Sequence, residues 1–173
     1  MKILCLLRHA KSSWSQRPLI DHERPLKRRG ERDSQLLSDA LSIRFDAIYS
    51  STAERAHQTI RIVMQEASMD SDRLVTTDRL YTFDARDALG FIRDIPDRHN
   101  TVLIVGHNPA FTDLCNDLAG AGLDNLPTAG FARLACDVDH WRAVTDGCAE
   151  LTTLVTPKML RVREPDPDND WYR

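Results

Sequence analysis

Four side chains that could act on a phosphoryl group interrupt the apolar stretches of this chain. Arg8 and His9 end the run "KILCLL", Arg55 lies in "SSTAERAHQT", and His107 follows "TVLIVG". A guanidinium offers paired planar donors to a tetrahedral oxyanion. An imidazole can donate a hydrogen bond to such a group or attack its phosphorus. Two arginines and two histidines therefore form a phosphoryl-transfer set, provided the fold brings them together.

The elements around them predict that it does. "KILCLL" and "TVLIVG" are short, continuous apolar runs, the pattern of central strands covered on both faces in a parallel sheet. "FDAIYS" reads as a shorter strand between them. Helical spacing follows in Leu36, Leu37, Ala40 and Leu41, then in Ala56, Ile60, Val63 and Ala67, and again in Ala85, Ala88, Leu89 and Ile92. This alternation predicts an α/β fold, a three-layer α/β/α sandwich with a mostly parallel central sheet. A further helix is read in "HNPAFTDLCNDLAG", with Phe111, Leu114, Cys115 and Leu118 on one face, after which "FARLACDV", "WRAVTD" and "AELTTLV" read as antiparallel strands. In an open α/β sheet ligands bind beyond the carboxyl ends of the strands, where His9, the 50–55 segment and His107 all fall. Arg8 and His9 would face opposite ways in a regular strand, so the chain must leave strand geometry there if both serve one ligand.

Local signals sharpen the placement. Ser51 and Glu54 have capping-box spacing, predicting a helix from Thr52 with Arg55 in its first turn, where free N–H groups and the dipole favour an anion. Asn108 is a natural N-cap and Pro109 a natural first helical residue after His107. His22, His57, His99 and His140 read as surface or satisfied core histidines.

The 173 residues suit a single domain, 1–160, followed by a Pro-interrupted acidic tail, 161–173, expected to be loosely held. A net charge of −3 without a long basic block gives nucleic acid or an anionic membrane no footprint. Cys5, Cys115, Cys136 and Cys148 form no CxxC and read as reduced thiols, mostly in the core. "MKILCLL" is too short for a signal-peptide core and is followed at once by charge, which predicts a cytoplasmic protein. No HExxH or comparable ligand spacing occurs and two arginines would repel a cation, so no metal is expected. Nor is any nucleotide-binding glycine loop present, and no cofactor is implied.

Taken together, these motifs resemble the histidine phosphatase superfamily, the phosphoglycerate mutase-like proteins. Arg8, His9 and Ala10 match its Arg-His-Gly hallmark, with alanine in place of the glycine. "SSTAERAHQT" is similar to its Ser-x-x-x-Arg-Ala-x-Gln-Thr segment, and "GHNP" carries its second histidine onto His107. The resemblance implies that His9 is the nucleophile and that Arg8, Arg55 and His107 hold the equatorial oxygens. Ser15 stands where related mutases have a phosphate-contacting Asn, which implies a hydroxyl contact. "TTDRLY" resembles the mutase segment that supplies the proton donor, carrying that role onto Asp78, with Asp84 as competitor because it could equally cap the next helix. The short length and "ERPLKRRG" are similar to the phosphohistidine phosphatases of SixA type. That resemblance implies a phosphorylated protein as partner, such as a histidine-containing phosphotransfer domain in signal transduction. A small phosphorylated metabolite, a mutase reaction, or a non-catalytic phosphate-binding module remain the alternatives.

Overall fold

The structure, a computed structural model, describes residues 1–14, 19–41 and 43–161. Ser15 and all of the expected tail except Arg161 lie outside the described residues. Among the described residues six strands form one sheet: β1 (Lys2–Arg8), β2 (Ala47–Ser51), β3 (Leu74–Thr77), β4 (Thr101–Gly106), β5 (Phe131–Cys136) and β6 (Ala149–Val155). Their order is β3-β2-β4-β1-β5-β6. The first four strands are mutually parallel, while β5 runs antiparallel to both β1 and β6. Among the described residues five α-helices accompany the sheet: α1 (Arg28–Ser38), α2 (Glu54–Glu66), α3 (Ala85–Arg93), α4 (Ala110–Ala119) and α5 (Pro157–Arg161).

The continuous apolar run of β1 follows from burial on both faces. Leu4 and Leu6 join Ile104, Phe111 and Leu114 on the side of α3 and α4. Cys5 and Leu7 pack instead with Leu37, Ile60 and Val63 on the side of α1 and α2. Alternating side chains thus enter two cores, and all four are fully buried. Full burial of one such leucine contributes roughly 1.5–3 kcal/mol, so truncating Leu6 to alanine would cost about 2–5 kcal/mol with its cavity. Gly30, at the start of α1, is required sterically: a Cβ there would lie 2.3 Å from the Lys11 carbonyl oxygen. That contact fixes the "ERPLKRRG" segment against the loop leaving β1, where Lys27 N–H also donates to the Lys11 carbonyl at 2.8 Å.

Several local expectations need correction. "WRAVTD" is not a strand: Trp141–Ala143 forms a single 3-10 turn with Trp141 fully buried, its indole N–H donating to the His99 carbonyl at 2.7 Å. Strand β3 has no apolar run to signal it: it is a four-residue sheet edge with half-exposed and exposed side chains. Helix α2 begins at Glu54 rather than Thr52, and no capping box forms. The Ser51 hydroxyl accepts from Ala53 N–H at 3.2 Å and is engaged by His107, while Glu54 accepts from Gln58. Helix α4 begins at Ala110, and Pro109 rather than Asn108 occupies its cap position. The Asn108 amide donates to Thr112, Asn125 and the Leu126 carbonyl, tying the loop before β5 to the start of α4. Arg161 ends α5 and pairs with the buried Asp33 of α1. Cys5, Cys115 and Cys136 are buried free thiols, and Cys148 is partly buried.

Candidate active site

The parallel strands end level with one another: Arg8 pairs with Gly106, Ser50 with Val105, and Ser51 with Thr77. The residues that follow therefore meet at the carboxyl ends of the parallel strands, His9 after β1, Thr52 to Arg55 after β2, Asp78 after β3 and His107 after β4. Beyond Arg8 the chain leaves strand geometry as required. His9 N–H still donates to the Gly106 carbonyl at 3.0 Å, but Ala10 N–H turns to the Thr59 hydroxyl at 2.9 Å. Ala10 is fully buried beside Leu26 and Ala129, so the fold accommodates the methyl that replaces the family glycine.

His9 Nδ1 lies 2.8 Å from the Ala10 carbonyl. A carbonyl oxygen only accepts, so Nδ1 carries the proton and Nε2 keeps its lone pair. Arg55 Nε, which only donates, points at that lone pair from 3.3 Å. His107 is arranged the other way round. Arg55 Nη2 faces its Nδ1 at 3.4 Å, so in the neutral ring Nε2 carries the proton and donates to the Ser51 hydroxyl at 2.8 Å. The two imidazoles lie 5.1 Å apart, centroid to centroid. Burial lowers both pKa values from 6.5 to about 3; Arg55, Arg8 and Arg24 add to the effect at His9, and His9 and Arg55 at His107. Both rings are thus neutral near pH 7, and His9 Nε2 keeps an unprotonated lone pair.

Arg55 is 2 % exposed, held in the first turn of α2 as the sequence predicts. The Arg8 guanidinium is anchored by Asn125 at 3.0 Å and by the Leu126 carbonyl at 2.7 Å. Its buried Nε–H has no hydrogen-bond partner among the described residues. Burial lowers the Arg8 pKa from its ordinary value. The structure thus brings His9, Arg55 and His107 into direct contact and sets the charge of Arg8 against both rings.

The two acid candidates differ. Asp84 caps α3, accepting from Arg86 N–H at 2.8 Å and pairing with the Arg86 guanidinium at 2.9 Å. These bonds lower its pKa and keep it ionised. Asp78 accepts from the Thr52 hydroxyl at 2.5 Å, and that hydroxyl in turn takes a hydrogen bond from His22 Nε2 at 3.0 Å. His22 is satisfied, as expected, but it stands at the site, edge-on to Tyr81 with centroids 4.9 Å apart.

Three site residues escaped the sequence reading. Asp21 sits in the 3-10 turn Asp21–Glu23, and its carboxylate accepts from Arg24, Arg55 and the Tyr81 hydroxyl. Arg24 is buried, donates also to the Ser12 hydroxyl, and lies 3.2 Å from the centroid of the Trp14 ring. Tyr81 packs edge-on against His107 at 5.5 Å. Position is the signal for two of them, Arg24 in "ERPLKRRG" and Tyr81 in "TTDRLY", and Asp21 has none.

Among the described residues no group of three or more His, Cys, Asp or Glu could hold a metal ion, and no helix is long and apolar enough to cross a membrane. The family pattern of the histidine phosphatase superfamily, branch 1, matches residues 4–85, which include Arg8, His9 and Arg55. An uncharacterized protein of Mycobacterium tuberculosis is 33 % identical over 165 residues, covering 88 % of this chain and all of that one. A structure from Nakamurella multipartitia, provisionally assigned as the phosphohistidine phosphatase SixA, superposes with a TM-score of 0.78 at 25 % identity, over 90 % of this chain and 96 % of that one. A mycobacterial glucosyl-3-phosphoglycerate phosphatase shares the fold at 14 % identity, with a TM-score of 0.65 over 88 % of this chain and 97 % of the other. With its hallmark residues gathered at the carboxyl ends of the parallel strands, the chain belongs to the histidine phosphatase superfamily, branch 1.

Proposed function

We propose that the protein is a phosphatase that works through a covalent phosphohistidine at His9, with phosphohistidine on a protein as its substrate. The observation that carries the chemistry is the lone pair of His9 Nε2, fixed by the Ala10 carbonyl on the opposite ring nitrogen and faced by Arg55. Nε2 attacks phosphorus in line as the bond to the leaving group breaks. Positive charge then develops on the ring, where the Nδ1–H bond to Ala10 strengthens. Arg55 and Arg8 stabilise the negative charge on the equatorial oxygens. His107 can donate to one of them once a proton resides on Nδ1, with the Ser51 hydroxyl turning to donate to Nε2. Water then attacks the phosphohistidine, releasing inorganic phosphate and restoring His9. Asp78 is the acid for leaving groups that need a proton, since Asp84 is committed to Arg86 and the α3 cap.

A protein substrate is supported by the rim. Leu19 and Ile20, which precede Asp21, and Phe83, which follows Tyr81, are exposed apolar side chains, as is Trp14, whose ring lies against Arg24, and the Phe83 ring lies 5.4 Å from that of His107. Such a rim complements an apolar protein face better than a sugar phosphate. The test is kcat/KM on a phosphorylated histidine-containing phosphotransfer domain against phosphoglycerates, sugar phosphates and an aryl phosphate. A preference of 100-fold or more for the protein supports the reading, and equal or greater rates on a metabolite replace it with a small-molecule phosphatase.

A further inference from the structure

The guanidinium of Arg55 has two hydrogen-bonding edges, and the structure divides them between different partners. The edge formed by Nε and Nη2 faces the histidines: Nε donates to His9 Nε2 at 3.3 Å, and Nη2 lies 3.4 Å from His107 Nδ1. The edge formed by Nη1 and Nη2 faces one residue, Asp21. Its backbone carbonyl accepts from Nη1 at 2.6 Å, and its carboxylate Oδ2 accepts from Nη2 at 2.9 Å. Two further donors hold the carboxylate in turn. Arg24 Nη1 binds Oδ1 at 2.7 Å and the Tyr81 hydroxyl binds Oδ2 at 2.9 Å. Arg24 is itself fixed by the Ser13 carbonyl, the Ser12 hydroxyl and the Trp14 ring.

From this division we infer that Asp21 is a positioning residue: it holds the far edge of Arg55 so that the Nε and Nη2 hydrogens stay aimed at the phosphoryl oxygens on His9. The inference rests on the phosphatase reading above and adds to it a residue from outside the hallmark motifs. A planar bidentate donor stabilises a transferring phosphoryl group only when its plane and edge are set in advance. On a long side chain such as arginine, that setting must come from contacts behind the head group. Asp21 supplies two of them, and the donors from Arg24 and Tyr81 satisfy the carboxylate so that it does not reach into the pocket to compete with the substrate. Misplacement of a catalytic group by about 1 Å costs on the order of 100-fold in rate.

The experiment is a double-mutant cycle between Asp21→Ala and Arg55→Ala, read by kcat/KM on p-nitrophenyl phosphate and by calorimetric binding of inorganic phosphate, with thermal unfolding as a control for folding. Asp21→Ala should lower kcat/KM roughly 10- to 100-fold and weaken phosphate binding. In the Arg55→Ala background the same change should do almost nothing, because the group it positions is gone. Asp21→Asn, which keeps one acceptor oxygen but sets an amide N–H against a donor, should fall between the two and takes the place of Asp21→Ala if that variant does not fold. Unchanged activity, tighter phosphate binding in Asp21→Ala, or the full loss persisting without Arg55 would each overturn the inference. A parent enzyme that neither turns over nor binds phosphate would overturn the phosphatase reading, and this inference with it.

Discussion

Keeping His9 and His107 neutral carries a stability cost that grows as the pH falls. Both rings have folded-state pKa values lowered from 6.5 to about 3, chiefly by burial. Between these limits the unfolded chain binds protons that the folded protein refuses, so stability present above pH 6.5 is lost progressively down to about pH 3. From pH 7 to pH 5, linkage gives a loss of about 2 kcal/mol for each ring and about 4 kcal/mol for both. For a chain of this size that lowers Tm by roughly 10 °C. Carboxylates contribute little in this window, because their unfolded pKa values lie near 4. The assay is urea unfolding at pH 7 and pH 5 of the parent, the His9→Asn and His107→Asn variants, and the double variant. Each single variant should remove about 2 kcal/mol of the loss and the double variant about 4 kcal/mol, leaving the smaller part that His99, its pKa also lowered by burial, shares among all four proteins. If the double variant loses as much stability as the parent between pH 7 and pH 5, the rings are not held neutral and the account of the nucleophile fails.

Asp78→Asn should slow hydrolysis of an alkyl phosphate about 10²- to 10⁴-fold while sparing phosphohistidine, whose leaving imidazole needs less help from an acid. Asp84→Asn should leave both rates near the parent's, and a selective loss on the ester in Asp84→Asn alone would move the acid there. Gly30→Ala should destabilise the protein by roughly 1–3 kcal/mol in chemical unfolding, because the new Cβ meets the Lys11 carbonyl and must displace backbone. Activity should survive EDTA, since Arg8 and Arg55 supply the positive charge that a metal otherwise would; loss with EDTA and recovery with a divalent ion would refute this.

The parts of the fold legible in the sequence were those fixed by local pattern. The runs of β1 and β4 signalled strands buried on both faces, and their termination at His9 and His107 marked the candidate site. Strand β3 was illegible because Leu74–Thr77 lies at the sheet edge with no apolar run to mark it. Trp141 misled because a buried aromatic among β-type residues resembles a strand, whereas its ring is seated by the His99 carbonyl and the Lys2 ammonium. Ser51 kept capping-box spacing while its hydroxyl was diverted to His107, a contact 56 residues away in the chain. Asp21 carried no local signal at all. An acid in a polar loop reads as solvated, and its role emerges only where Arg24, Arg55 and Tyr81 converge on it.

The central claim, that His9 Nε2 takes the phosphoryl group, is tested most directly by trapping the enzyme. Acid-sparing quench within the first turnover of a ³²P-labelled substrate, followed by peptide mapping, should place an acid-labile, base-stable label on the peptide containing His9 and none on the His9→Ala protein. Full turnover by His9→Ala, or label on any other residue, would contradict it.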